Sequence, residues 1–215
     1  MSEELEREKE AAARAAAALV ADGQRVGLGT GSTVAHLLPA LAEHGLRDLR
    51  CVATSPATAA RARELGLPVE EFERLDRLDV AIDGADQVDS DGWLVKGGGG
   101  ALTREKIVAA AADRFVVIVD HTKVVDRLTA PIPLELLAFG LPSTLRAVDP
   151  TALRDVPRSP DGGLIADYQG EVGDPEALAR RFEIVPGVVD HGLFPPQLTS
   201  DVLVARGAEV EHRRV

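Results

Sequence analysis

Three acidic and two basic side chains stand where short stretches of backbone could aim them at one small molecule. Asp83 and Asp86 are three residues apart in Asp83-Gly84-Ala85-Asp86, directly after the buried-type strand sequence Asp79-Val80-Ala81-Ile82. Glu105 lies near the end of a longer stretch, Lys96-Gly97-Gly98-Gly99-Gly100-Ala101-Leu102-Thr103-Arg104-Glu105-Lys106, in which four glycines lead into helix-forming sequence. Lys123 ends Asp120-His121-Thr122-Lys123, again directly after an apolar run, 115–119. Glycine suits backbone that approaches a ligand closely or takes positive φ. A glycine loop entering a helix offers N–H groups and a positive dipole end to an anion. A glutamate with ammonium and carboxylate partners can move a proton on carbon beside a carbonyl. That chemistry needs one base, donors for the developing oxygen anion and a cradle for an anionic tail. For Glu105 to act as the base it must be buried enough to offset the dipole end, which favours its charged form.

A second glycine loop, Gly27-Leu28-Gly29-Thr30-Gly31-Ser32-Thr33, follows the short apolar run 25–28 and precedes helix-compatible sequence to about His44. Strand, Gly/Ser/Thr loop and helix make a phosphate site in an α/β protein. A dinucleotide fingerprint needs glycine where Ser32 stands, and an acid after the next strand, which ends in Thr54-Ser55. A Walker loop needs a lysine the loop lacks. The alternatives left are a structural turn and hydroxyl-rich anion binding; Thr30, Ser32 and Thr33 favour the second. A calcium loop centred on Gly92 fails, because it puts Gln87 first and Gly98 last. Asp91-Gly92 reads instead as the turn of a hairpin joining 87–89 to 93–96, which brings Lys96 back beside the two aspartates. His121 reads as a loop or capping residue rather than a catalyst.

The elements that must hold these groups alternate. Helix is expected over 3–21, with 3–10 a solvated face that includes Lys9, then strand 49–55, helix 56–65 and a third short strand at 69–72. Strand 79–82, helix 101–112 and strand 115–120 follow. Alternating β and α units predict a doubly wound, mostly parallel sheet, a Rossmann-like α/β fold. After about residue 128 prolines punctuate shorter elements: strands at 133–139, 164–168, 188–194 and 202–205 and a helix at 174–182. These predict a second, smaller α+β domain. The expected division is 1–128 plus about 200–215 for the catalytic domain and 129–199 for the small one.

The chain has 215 residues and a net charge of −11, which argues against a nucleic-acid partner. No apolar run suits a membrane span and no signal peptide is evident, so a cytoplasmic protein is expected. The single cysteine, Cys51, excludes a disulfide framework and reads as a buried core thiol. No metal cluster or cofactor motif is present. Of 24 positive side chains only Lys9, Lys96, Lys106 and Lys123 are lysine. Where lysine persists in an arginine-rich chain, a compact ammonium is the expected requirement.

The ordered set of motifs resembles the type A ribose-5-phosphate isomerases. The matching stretches are Gly29-Thr30-Gly31-Ser32-Thr33, Thr54-Ser55-Pro56-Ala57-Thr58, Asp83-Gly84-Ala85-Asp86, the Lys96 to Lys106 stretch and Asp120-His121-Thr122-Lys123. Pro186-Gly187-Val188-Val189 and Gly192-Leu193-Phe194 complete them. The resemblance implies interconversion of D-ribose 5-phosphate and D-ribulose 5-phosphate through an enediol, in the pentose phosphate pathway, without metal or cofactor. It implies Glu105 as acid/base and Asp83 in ring opening. Asp86 and Lys96 would act on the C1 and C2 oxygens, with Gly84, Ala85, Gly97, Gly98 and Gly99 lining the substrate. Thr30, Gly31, Ser32, Thr33, Lys9 and Lys123 would bind the phosphate. A ferredoxin-like small domain and a homodimer or homotetramer are also implied. The same fold hosts other sugar-phosphate enzymes and sugar-phosphate-sensing domains. The chain departs from the family pattern at Pro160-Asp161-Gly162-Gly163 and near Ala138, positions expected to bear on assembly more than on chemistry.

Overall fold

The computed structural model describes residues 3–215. The elements begin with α1 (Glu3–Ala17), β1 (Arg25–Leu28), α2 (Ser32–Glu43), β2 (Arg50–Ala53), α3 (Pro56–Glu64) and β3 (Val80–Asp83). Then come β4 (Gln87–Val88), β5 (Leu94–Val95), α4 (Leu102–Ala110), β6 (Phe115–Asp120) and β7 (Ile132–Leu136). The chain continues through α5 (Leu141–Ala147), β8 (Thr151–Leu153), β9 (Leu164–Tyr168), α6 (Pro175–Glu183), β10 (Val188–His191), β11 (Leu193–Phe194), β12 (Asp201–Arg206) and β13 (Glu209–Arg214). Two compact units result. The larger takes residues up to Ala85, Arg104–Val124 and Gln197–Val215, and the smaller takes Asp86–Thr103 and Val125–Pro196.

The larger unit is built on a six-stranded sheet in the order β13-β12-β6-β3-β1-β2, parallel except for the β12–β13 pair. β6 is buried along its whole length, as its unbroken apolar run requires of a central parallel strand. Against the sheet lie α1 and α2, whose Ala12, Ala13, Ala16, Ala17, Leu37, Leu38 and Leu41 join Val26, Leu28, Ile82 and Ile118 in one aliphatic core. With 3% aromatic residues, small and branched side chains fill this core. α3 starts where the sequence signals it. Ser55 accepts from the Thr58 N–H and Pro56 occupies the first turn.

Three readings are corrected here. The strand expected at 69–72 is a single bridge between Val69 and Cys51, followed by a 3₁₀ turn at Phe72–Arg74. α1 ends at Ala17, earlier than Asp22-Gly23 suggested. Its supposed solvated face is broken by Glu8 and Lys9, both buried. β13 has no counterpart in the sequence reading because Glu209, Glu211, His212, Arg213 and Arg214 hide a strand in charge; it forms an edge, with mostly exposed residues.

In the smaller unit a four-stranded antiparallel sheet runs β10-β7-β9-β8, with α5 after β7 and α6 after β9. This β-α-β-β-α-β sequence gives the ferredoxin-like order. Its core gathers Ile132, Leu134, Leu136, Tyr168, Leu178 and Phe182, with the Tyr168 and Phe182 rings edge to face at 5.2 Å. α5 and β8 escaped the sequence reading; both are short and lie among prolines. The strand read over 188–194 is two strands in different sheets, because a Cβ on Gly192 would lie 2.2 Å from the Lys96 carbonyl oxygen. β11 instead completes a three-stranded antiparallel sheet, β11-β5-β4. That pairing gathers 86–103 into the smaller unit, whereas the sequence reading kept it in the larger domain.

Candidate active site

The chain crosses between units after Ala85, Thr103, Val124 and Pro196. Asp83 and Asp86 flank the first crossing, Glu105 follows the second and Lys123 precedes the third. The candidate groups therefore fall into two sets, each held by its own unit.

In the larger unit, Asp83 ends β3 and is buried at 3% exposure. Its Oδ1 accepts from the N–H of Thr30 at 3.0 Å and of Gly84 at 2.7 Å. Gly29 makes this approach possible, since a Cβ there would sit 2.0 Å from the Asp83 carboxylate. The glycine loop between β1 and α2 is thus tied to the next strand by a carboxylate. It is tied to α3 by hydroxyls: Thr30 Oγ1 lies 2.8 Å from Thr54 Oγ1 and 3.3 Å from Thr58 Oγ1, while Thr58 donates to the Gly29 carbonyl. Gly31 takes φ 136° at the start of α2, a conformation that favours glycine. Gly31 and Ser32 are exposed and Thr33 is buried, so the first-turn N–H groups of α2 open beside two hydroxyls.

Glu105 lies in the first turn of α4 and is buried at 3% exposure. α4 packs tightly on β1: a Cβ on Gly27 would meet Val108 Cγ1 at 2.5 Å. Glu105, three residues before Val108, faces the same side of the helix. Lys123 ends the 3₁₀ turn after β6, where Asp120 caps by accepting from the Thr122 N–H at 3.0 Å. His121 lies in the turn after β6, as a loop residue, and has a buried partner. Its Nδ1 lies 2.6 Å from Glu8 Oε2, and Glu8 Oε1 accepts from the Gly207 N–H at 2.8 Å. Burial pushes the Glu8 carboxyl up, but the Gly207 and His121 hydrogen bonds outweigh it and hold the pKa below the usual range. Beside it on α1, Lys9 Nζ sits 2.9 Å from Glu6 Oε1.

In the smaller unit, the hairpin β4–β5 returns Lys96 to Asp86 as read from the sequence, with the Asp86 N–H donating to the Val95 carbonyl at 2.7 Å. Asp86 Oδ2 accepts from the Gly98 N–H at 2.8 Å. Lys96 is buried at 3% exposure, its Nζ 5.5 Å from the centre of the Phe194 ring, a cation–π contact. Gly97 and Gly100 take φ 102° and 75°, and the Gly100 N–H donates to the Gly97 carbonyl, closing a turn. Gly98 and Gly99 are exposed. Among the described residues no three His, Cys, Asp or Glu side chains group as metal ligands.

Comparisons with known proteins bear on what these two sets of groups serve. A sequence model of the ribose 5-phosphate isomerase A (phosphoriboisomerase A) family matches residues 50–209. The chain belongs to the ribose 5-phosphate isomerase A family. The ribose-5-phosphate isomerase A of Agrobacterium fabrum is 47% identical over 201 residues, covering 85% of this chain and 87% of the relative. The crystal structure of ribose 5 phosphate isomerase A from Neisseria gonorrhoeae superposes with a TM-score of 0.93 at 29% identity, over 98% of this chain and 97% of that one. A D-ribose-5-phosphate isomerase solved in complex with phospho-erythronic acid superposes with a TM-score of 0.92 at 31% identity, over 100% of both chains.

Beyond the family motifs, the structure adds residues that sequence reasoning passed over. Glu8 was hidden in an acidic helix start, though the helical spacing of Glu8 with Ala12 was a usable signal. Glu135, buried at 2%, accepts from Thr103 Oγ1 at 2.6 Å and from Ser159. The 159–163 turn, read as remote, therefore bears through Glu135 on the residue two before Glu105. Arg154 and Asp167 gave no local signal at all.

Proposed function

We propose that this chain interconverts D-ribose 5-phosphate and D-ribulose 5-phosphate through a 1,2-enediolate. The observation that carries the reading is Glu105, buried in the first turn of the helix after the glycine loop in a member of this isomerase family. Asp83 assists opening of the furanose ring. Glu105 then removes the C2 proton of the open aldose and returns it to C1, while a proton passes from O2 to O1 and C2 becomes the ketone. No atom is gained or lost, so neither redox cofactor nor metal is required by the balance. The charge that builds on the C1 and C2 oxygens is met by Lys96 and by N–H groups of Gly97, Gly98 and Gly99, while Asp86 holds the substrate there by accepting from its hydroxyl. Gly84 and Ala85 line the same part of the substrate with backbone. Thr30, Gly31, Ser32, Thr33, Lys9 and Lys123 hold the phosphate, the first four through loop and helix-start donors. The relative solved with phospho-erythronic acid supports the substrate class: its ligand pairs a phosphate with a carboxylate, which resembles a planar two-oxygen enediolate.

The reading places the enzyme in the non-oxidative branch of the pentose phosphate pathway, in the cytoplasm, with no nucleic-acid or membrane partner. No helix among the described residues is long and apolar enough to cross a membrane. We also propose a homodimer or homotetramer. Leu137, Phe139, Ile184 and Val189 are exposed apolar residues of the smaller unit, and the Leu137 N–H donates to the Gly187 carbonyl, which draws part of this set together.

Incubating the protein with ribose 5-phosphate in deuterated water plus EDTA tests the chemistry. Ribulose 5-phosphate carrying deuterium at C1 is expected. Loss of turnover with EDTA would remove the metal-free mechanism. Glu105→Gln is expected to lower kcat by about 10²–10⁴-fold, with phosphate-dependent binding retained; near-parental turnover would take Glu105 out of its role.

A further inference from the structure

Arg154 stands just after β8, at one end of the smaller unit's four-stranded sheet order, and belongs to none of the family motifs. One edge of its guanidinium is locked onto Asp167 of β9, Nε to Oδ2 at 2.7 Å and Nη2 to Oδ1 at 2.6 Å. Both side chains are 17% exposed. Its remaining nitrogen, Nη1, donates to two successive carbonyls of the glycine loop, Gly97 and Gly98, each at 3.0 Å. In a trans peptide the N–H points opposite to the C=O. The Gly97–Gly98 peptide is therefore gripped at both ends: Arg154 takes its oxygen and Asp86 Oδ2 takes its N–H at 2.8 Å. The Gly98–Gly99 peptide is gripped at its oxygen, which turns the Gly99 N–H away from Arg154. The Gly98 N–H is thereby held on Asp86, and the Gly99 N–H is left directed away from Arg154.

Glycine is needed at both positions. Gly97 has φ 102°, and a Cβ on Gly98 would lie 2.7 Å from Asp86 Oδ1. A glycine run of this kind has many accessible conformations and orders only if something outside it fixes the peptide planes. The Gly97 carbonyl also accepts from the Gly100 N–H, so both of its lone pairs are used. A lysine could not replace the arginine. Its single ammonium cannot clasp a carboxylate in two-point fashion while reaching two carbonyls.

We propose that Arg154, braced by Asp167, is a positioning residue for the isomerisation: it sets the two peptide planes that present the Gly99 N–H and, through the Gly98 N–H, orient Asp86 toward the reacting oxygens. This rests on the isomerase reading above. Because the interaction acts on loop geometry at the reacting end and not on phosphate recognition, its loss should appear in kcat and leave KM almost alone.

The experiment compares the parent chain with Arg154→Ala, Arg154→Lys and Asp167→Asn in ribose 5-phosphate turnover, with melting curves and amide hydrogen exchange of the 97–101 segment. Arg154→Ala is expected to lose roughly 10²-fold in kcat with KM changed by less than about 3-fold, and to exchange faster at 97–101. Added guanidinium ion is expected to restore part of kcat. Arg154→Lys and Asp167→Asn should fall between Arg154→Ala and the parent. If Arg154→Ala fails to fold, Arg154→Lys carries the same comparison. An active parent whose folded Arg154 variants keep parental kcat, or lose activity only in step with folded protein and without guanidinium rescue, would overturn the role of Arg154. An inactive parent would instead overturn the isomerase reading.

Discussion

Asp83 closes β3 in the larger unit and is held by the glycine loop of the neighbouring strand. Asp86, three residues on, opens the smaller unit and is held by a loop that itself needs side chains from far along the chain. The first arrangement follows from a parallel sheet: strands β1 and β3 pair in register from Val26↔Val80 to Leu28↔Ile82, so the loops that leave them must meet. The second is built from charged side chains, with the Arg154–Asp167 pair on the glycine loop and the Glu135 carboxylate on the Thr103 hydroxyl. Interior parallel strands supply rigidity through their backbone ladder, whereas a glycine run has to borrow rigidity from ionic side chains.

The comparison can be broken most severely at Gly29. An alanine Cβ there would lie 2.0 Å from Asp83 Cγ and Oδ1 and 2.5 Å from its Cβ, so the carboxylate must leave its two N–H donors. Gly29→Ala is expected to cost about 10²-fold in kcat in a folded protein; parental kcat would show that Asp83 is not needed where it stands. Gly163→Ala is the counterpart in the smaller unit, with its Cβ 2.2 Å from Glu135 Oε1 and 2.4 Å from Cγ. Overpacking against this buried carboxylate is expected to remove about 1–3 kcal/mol of stability in urea unfolding, with kcat reduced less than by Gly29→Ala. An equal loss of kcat would instead show that Glu135 and Thr103 govern Glu105 as tightly as Gly29 governs Asp83.

A smaller effect is expected from Asp79→Asn, which probes the other end of the larger unit's sheet. Arg25 donates to Asp79 through its backbone N–H, Nε and Nη2, and these bonds lower the carboxyl pKa to about 2. A depressed folded pKa means stability that is present above the unfolded value of 3.8 and is lost as pH falls through about 2. The pair is about 30% exposed, so the variant should lose only about 1 kcal/mol at neutral pH. The gap to the parent should close between pH 4 and 2 in acid-unfolding curves. A gap that persists at pH 2 would assign the effect to packing. Least change is expected at Cys51, whose thiol burial pushes up to about 12. It should resist thiol reagents at pH 8 until the larger unit unfolds, and early labelling would show that β2 opens locally.

The larger unit was legible in the sequence because its signals are local. Ser55-Pro56 starts a helix, unbroken apolar runs make buried parallel strands, and Gly29, Asp83 and Lys123 each sit at a strand's end within a few residues of the signal. What escaped depends on partners distant in sequence or on patterns that mimic something else. Arg154 reaches back 56 and 57 positions to the glycine loop. Glu8 looked like surface charge until His121 and Gly207, from the other side of the chain, were beside it. β13 reads as polar because an edge strand needs no apolar face of its own, and Val69–Phe72 read as strand although a single bridge is all that forms.

The four lysines show a further consequence. Lys9 and Lys96 are buried and Lys106 and Lys123 are half-buried, so no lysine side chain stands exposed. The outward-facing positive charge of this acidic protein is carried by guanidinium groups. An acylating reagent that attacks amines but spares arginine therefore has only sheltered lysine side chains to find. All four lie in or beside stretches to which binding or chemistry is assigned here, so acylation of lysine in this molecule would report on its working parts.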